Sequence, residues 1–382
     1  MANTLNGIVP TLYEALNTVS REMVGFIPAV RRDSNAERAA VNQTVRVPLG
    51  EAGALEDIAP GVSPANSGDT TVGYADIVIT KSKAAPVRWN GEEERAVGTN
   101  GTYNQVLADQ FTDAMRKLVN AVEVDLSAAV KAGASRAYGD AAAVPFATAG
   151  DLSDFAGIAQ ILDANGAPVV DRQLVLGSSA MANLRGKQSV LFKVNEAGSS
   201  DMLREGLTDR VQNFALRYSG GIALHTKGTG ANYVTSGATA IGVSDIVLAT
   251  GTGTVLAGDV LTFDSGTDKY VVGTGIAAAG TLQLNKPGLL SAVADAKTAA
   301  IGADYVPNAA FARNAIVLVA RAPAVPIGGD SADDAMTITD PVTGMTFEVR
   351  VYRQYRQIKY EVCLSWGCAV VKPEHVALLV GA

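Results

Sequence analysis

His225 and His375 are the whole imidazole supply of this 382-residue chain, and they lie far apart, each at the edge of an apolar segment. A zinc site needs neighbouring ligands, and a His-activated nucleophile needs an orienting partner. Neither setting is present, so both histidines read as structural. Cys363 and Cys368 have no second pair to complete a metal set. Five positions apart on a strand they point to opposite faces, which argues against a disulfide and fits a reducing cytoplasm. Asp330, Asp333, Asp334 and Asp340 are the best cation candidates, because hard cations take clustered carboxylates. The alternation and central glycine of a calcium loop are missing, and a solvated loop is the simpler reading. Gly251-Thr-Gly253 and Gly273-Thr-Gly275 lack the Lys-Ser/Thr of a phosphate loop and the third glycine of a dinucleotide fingerprint, so they read as turns. Arg350, Arg353, Arg356 and Lys359 interleave with Tyr352, Tyr355 and Tyr360. That pattern would stack bases if it faced a nucleic acid, and is otherwise a charged outer face. No catalytic, cofactor-binding or metal-ligating set emerges, and no enzyme is expected.

The charge balance points the same way. Thirty-one Lys and Arg against 38 Asp and Glu leave a net charge of −7, the wrong sign for a protein that coats nucleic acid by neutralising phosphates. Only 18% of residues are charged while 48% are hydrophobic, so large weakly charged surfaces suited to burial against further copies are expected. Glu14, Arg21 and Glu22 interrupt the first thirty residues, and no secretion signal is expected there. No run approaches the roughly 20 apolar residues of a membrane span. The length exceeds the roughly 250 to 300 residues at which single cores stop growing, so two or three units are expected.

The elements that would position any site are dominated by Thr102–Lys131, which has neither Pro nor Gly. Tyr103, Leu107, Phe111, Ala114, Leu118, Val122, Leu126 and Ala129 recur at spacings of three and four, the period of one helical face. Roughly 30 residues make a rod of about 45 Å. Before it, Thr11–Phe26 is an amphipathic helix ended by Pro28, and Val30–Gln43 reads as a polar arm or linker. Thr44–Leu49 and Tyr74–Lys81 are strands around a Gly- and Pro-rich acidic stretch carrying Glu51, Glu56, Asp57 and Asp69. This reads as a long two-stranded arm that needs a partner surface. Its return side, Lys81–Arg95, is basic at Lys81, Lys83, Arg88 and Arg95. After the rod, Ser153–Leu162 and Ser179–Leu184 are helical, and Gln173–Leu176 and Ile222–Thr226 are strands. Between Lys227 and Ile301 the composition turns to Gly, Thr, Val and Ala, with two Gly-rich turns each feeding a strand, Asp259–Phe263 and Thr281–Asn285. This is a small antiparallel β module set into a host domain. Thr346–Val371 is β, with the apolar alternation changing phase across Tyr352–Gln357, where a turn or bulge is expected.

In this order the chain resembles a tailed-phage major capsid protein of the Hong Kong ninety-seven type. The resemblance is carried by VRVPL and YADIVITK as an extended loop, Thr102–Lys131 as a spine helix, DRQLVLGSSAMANL at Asp171–Leu184, FARNAIVLVARAP at Phe311–Pro323, and the ending WGCAVVKPEHVALL. GDVLTF at Gly258–Phe263 is similar to the insertion domain of P-twenty-two type coat proteins. The resemblance implies an α+β shell subunit. Its parts are a helix and arm over 1–43, an extended loop over 44–97, a peripheral domain from 98–135 and 345–382, an axial domain from 136–226 and 302–344, and an inserted β domain over 227–301. It also implies hexamers and pentamers of the chain in an icosahedral shell that encloses double-stranded DNA, located in the virion after assembly in the host cytoplasm. Scaffolding and portal proteins are implied partners, and a decoration protein is compatible with it. No cofactor or membrane is implied. Glu56, Asp57, Lys81, Lys83 and Arg88 are candidate contacts between copies, although exposed loop charges are commonly just solvated. An encapsulin-like compartment shell and a β-rich surface-binding protein remain alternatives.

Overall fold

The computed structural model describes residues 9–20, 24–33, 37–50, 60, 72–98, 103–188, 210–340 and 344–382. Helix α1 (Val9–Ser20) is followed by the single turn α2 (Phe26–Ala29). The expected helix Thr11–Phe26 is thus two pieces. Pro28 lies inside the second piece, where its missing N–H has no intrahelical partner to lose. Residues 30–33 and 37–43 are not a free linker. Strand β1 (Arg31–Asp33) adds in parallel to a strand of the body at Val317–Val319, and Ala39 donates its N–H to Ala322 O. Strands β2 (Thr44–Leu49) and β3 (Gly73–Val78) pair as a hairpin. The return side is itself regular: β4 (Lys81–Asn90) runs into α3 (Gly91–Gly98). The Asn90 side chain accepts from the N–H groups of Glu92 and Glu93, while Glu93 Oε2 accepts from Asn90 N. This reciprocal cap, with three acids in the first turn, explains why a helix starts there.

The long helix α4 (Tyr103–Gly133) has 31 residues, about 46 Å at 1.5 Å each. Leu107, Phe111, Met115, Leu118, Val122, Leu126 and Val130 are all buried along one face, and each such burial contributes roughly 1.5–3 kcal/mol. The remaining elements are β5 (Arg136–Gly139), α5 (Ser153–Ala164), β6 (Arg172–Leu176), α6 (Ser178–Lys187), β7 (Arg210–Val211), β8 (Phe214–Tyr218), β9 (Tyr233–Thr235), β10 (Asp245–Ala249), β11 (Val260–Phe263), β12 (Lys269–Thr274), β13 (Gly280–Leu284), β14 (Thr298–Ile301), β15 (Val306–Ala312), β16 (Ile316–Arg321), β17 (Asp334–Thr339), β18 (Thr346–Gln354), β19 (Gln357–Val370) and β20 (Val376–Gly381). The strand expected at Ile222–Thr226 is only a bridge between His225 and Tyr305.

Two sheets share α4. The first orders β1-β16-β19-β18-β17, with β4 also paired to β19. The second runs β11-β14-β9-β10-β13-β12-β5-β20-β15-β6-β8-β7, and a β11–β12 pairing closes its first six strands into a barrel. This places β16 and β17 in the first sheet with the C-terminal hairpin, and β20 in the second between β5 and β15. The domain limits expected at 302–344 and 345–382 therefore do not follow the sheets. The central strands β16 of the first sheet and β6, β15 and β20 of the second are buried on both faces. Phe347, Val349, Val362, Leu364 and Trp366 pack under α4 with Leu318, and Phe111 meets Tyr360 edge-on at 5.4 Å. On the second sheet, Leu174, Ala310 and Leu379 face α5 and α6 through Phe155, Ile158 and Leu184. Their strand neighbours Val175, Phe311 and Leu378 face the core under α4.

One carboxylate joins these layers. Glu123 sits in the apolar stripe of α4 with 2% of its surface exposed. Its Oε1 accepts from Gly25 N at 2.5 Å, Phe26 N at 2.6 Å and Ser219 Oγ at 2.8 Å, and its Oε2 accepts from Ile27 N at 3.1 Å. Burial raises its pKa, opposed by these hydrogen bonds. Replacing Glu123 with Ala strands four donors. A stability loss of several kcal/mol is expected in denaturant titration, at about 1–3 kcal/mol for each stranded donor that water does not reach, against about 1–3 kcal/mol in all for Glu123→Gln, which keeps one acceptor.

Candidate assembly surfaces

The β2–β3 arm forms a sheet of its own. Its inner face is not waiting for a partner: Val45, Val47, Ile77 and Ile79 bury against Ala39, Val317 and Val319, on the face of the first sheet opposite α4. This footing requires a close approach, since a Cβ on Gly367 would lie 2.1 Å from Val78 O. The outer face remains open. Arg46 binds Asp76 across the hairpin at 2.9 Å, and its guanidinium lies 3.8 Å from the Tyr74 ring centroid. Val72, Tyr74 and Val78 are exposed beside it. The arm's root is fastened by Arg38, whose guanidinium forks onto buried Glu348 at 2.6 and 3.0 Å and also donates to Pro323 O at 2.9 Å.

A second surface is the groove of about 690 Å³ between β4 and α4, lined by Lys83, Ala85, Val87, Ala114, Leu118 and Ala121. Small side chains on both walls keep it open. The β4 edge away from β19 has no strand partner among the described residues. Of the basic contact candidates, Lys81 is engaged within its own chain, 2.5 Å from Asp125 of α4, which also accepts from Trp366 Nε1. Lys83 and Arg88 are exposed along β4. Glu56 and Asp57 lie outside the described residues.

The barrel, entered after β8 and left before β15, is welded to the body rather than tethered. β12 continues the second sheet by pairing with β5, Lys269 with Ala137 and Tyr270 with Arg136. Asn285 Nδ2 donates to Ala132 O and Ala134 O, both at 2.7 Å, capping the C-terminus of α4. At the neck, His225 Nε2 lies 2.8 Å from Asp259 Oδ1, and the His225 and Tyr305 rings meet at 5.1 Å. Asp259 also accepts from Gly228 N and Leu256 N. His225 is thus a structural histidine, part of a satisfied buried network. Among the described residues, no three of His, Cys, Asp and Glu come together to hold a metal ion. Asp330 binds Arg350 and Tyr352 while Asp333 binds Arg353, and Asp340 is buried apart from them. The Arg/Tyr pattern of the tail does not form one face either. Arg350 and Tyr360 are buried, whereas Tyr355 is exposed and Arg356 takes φ +56° in the turn between β18 and β19.

Sequence reasoning does not give Glu123, Asn285 or Arg38 the roles they take here, Arg38 reading only as one charge of a polar arm. Glu123 alone left a trace, a carboxylate spaced four after Val119 and three before Leu126 inside an apolar stripe. No family model matches the sequence, and no curated protein matches it. Among solved structures, the capsid of the cyanophage P-SCSP1u is similar at 12% identity, with 94% of this chain and 88% of that chain covered and a TM-score of 0.48. A virus-like particle from Pyrococcus furiosus matches at 10% identity over 97% and 98%, TM-score 0.41. The capsid of the Myoviridae phage XM1 matches at 11% identity over 94% and 92%, TM-score 0.40. Among the described residues no helix is long and apolar enough to cross a membrane.

Asn285→Ala removes both caps on α4 and opens the seam between barrel and body. A loss of about 1–3 kcal/mol is expected in denaturant titration, whereas Asn285→Asp, which cannot donate, should be no milder.

Proposed function

We infer that the chain is a structural, self-assembling shell protein, the major capsid subunit of a double-stranded DNA phage. The observation that carries this reading is the arm: a two-stranded sheet footed on the body by its inner face, with Arg46, Val72, Tyr74 and Val78 turned outward. Exposed apolar surface on such an element gains by burial against another copy. The element order supports the same reading, with the arm preceding a long helix shared by two sheets and a barrel set between β8 and β15. A net charge of −7 fits a container that encloses DNA without gripping its sequence. In this reading the partners are further copies in hexamers and pentamers, with scaffolding and portal proteins directing assembly, and the site of action is the virion.

Expression of the full chain, alone and with its scaffolding protein, tests this by sedimentation and electron microscopy. Closed shells or capsomers are expected, and a strictly monomeric chain under all assembly conditions would overturn the reading. Nuclease-protected DNA rather than a co-purifying protein cargo is the expected content of particles made during infection. Glu56→Lys on the arm should leave the melting temperature unchanged while reducing the assembled fraction; unaltered assembly would remove Glu56 from the contact.

A further inference from the structure

We propose that the Arg38–Glu348 fork is the fastening of the arm's root and that it opens in acid ahead of the rest of the fold. Glu348 projects from β18 away from α4, while its neighbours Phe347 and Val349 enter the core under that helix. Its side chain is 3% exposed, that of Arg38 41%. Arg350 approaches Glu348 from the same strand at 3.1 Å and also binds Asp330. The groups around the fork are therefore Arg38 from the N-terminal segment, Arg350 and Tyr352 from β18, Asp330 from the loop before β17, and Cys363 and Glu361 across on β19. Glu361 is paired with Lys359.

Opening strands no buried charge. When Glu348 takes a proton it becomes neutral, Arg350 keeps Asp330, and the half-exposed Arg38 returns to water. The usual penalty for breaking a buried pair, an uncompensated charge left inside, is avoided. The footing beneath it is only seven buried side chains in a cluster separate from the main core, so loss of the fork weakens the root without reaching α4. Of the groups around the fork, Cys363 and Tyr352 are shifted away from the carboxyl range, while Asp330 is depressed like Glu348 but meets Arg350 rather than Arg38. Burial pushes the Cys363 thiol up to about 12, and burial likewise raises Tyr352. Asp330 is held below the ordinary range by the Tyr352 hydroxyl, Ala332 N–H and Arg350. Burial would raise Glu348, but the hydrogen bonds and charges of Arg38 and Arg350 outweigh it and hold the carboxyl below its ordinary range. A depressed carboxyl stabilises fully above the unfolded value and loses that contribution as the pH falls through the folded value.

The test is hydrogen exchange on the full chain, corrected for the intrinsic pH dependence of exchange. At neutral pH, Glu348→Gln should speed exchange over residues 37–49 by about tenfold or more while α4 and the barrel strands keep their protection. Wild-type protein should reach the same state once acid carries the pH below the ordinary carboxyl range and through the depressed value, where the variant changes no further in those peptides. Should Glu348→Gln fail to fold, Arg38→Met decides, because it leaves Glu348 with Arg350 and should loosen the same peptides at neutral pH. Wild-type protection over 37–49 in the folded variants, or equal loosening across α4, would overturn the proposal. The inference concerns the free chain and does not rest on the shell reading.

Discussion

A carboxylate removed from water must be met by donors, and Glu123 is met by four, three of them backbone N–H groups at the start of a one-turn helix. That constraint fixes three parts at one point: the long helix that carries Glu123, the N-terminal segment that supplies Gly25, Phe26 and Ile27, and the loop after β8 that supplies Ser219. Phe26 is thereby set down on the second sheet, stacked 6.3 Å from Phe311. The segment then continues along the edge of β16 and delivers the arm to the first sheet. Without a buried acceptor on α4, the α2 donors would need another partner in a place water does not reach.

The second constraint is that neither sheet has a free face where it meets α4. β16 divides its side chains cleanly: Ile316, Leu318 and Ala320 go to the core under α4, Val317 and Val319 to the footing of the arm. With β16 buried on both faces, the arm's outer face and the β4 edge are two surfaces, among the described residues, through which the molecule can extend. The barrel follows the same economy. It shares strand pairing with β5 and caps α4 through Asn285, so it moves with the body.

Much of this was legible because it is periodic. The stripe of α4, the alternation of β18 and β19 and the β character of residues 227–301 depend on local spacing, and the helix ends within two residues of the expected limit. What was not legible depends on partners distant in sequence. Arg31–Asp33 has no strand signature and becomes a strand only because the β16 edge receives it. Lys81 reads as a contact for another copy, yet Asp125 of α4 lies beside it. β20 reads as part of the C-terminal return, and its place beside β5 is set by Ala377 and Leu379 matching the face under α5. Only charge marks Glu56 and Asp57 in the sequence, and their geometry lies outside the described residues.

The central claim is that the arm's outer face is a surface for another copy. Cross-linking mass spectrometry on assemblies made from a mixture of light and isotopically heavy chains measures this most directly. The account predicts that cross-links from the arm, residues 44–78, join light to heavy chains at the frequency of random mixing. Arm cross-links confined to single chains would contradict it.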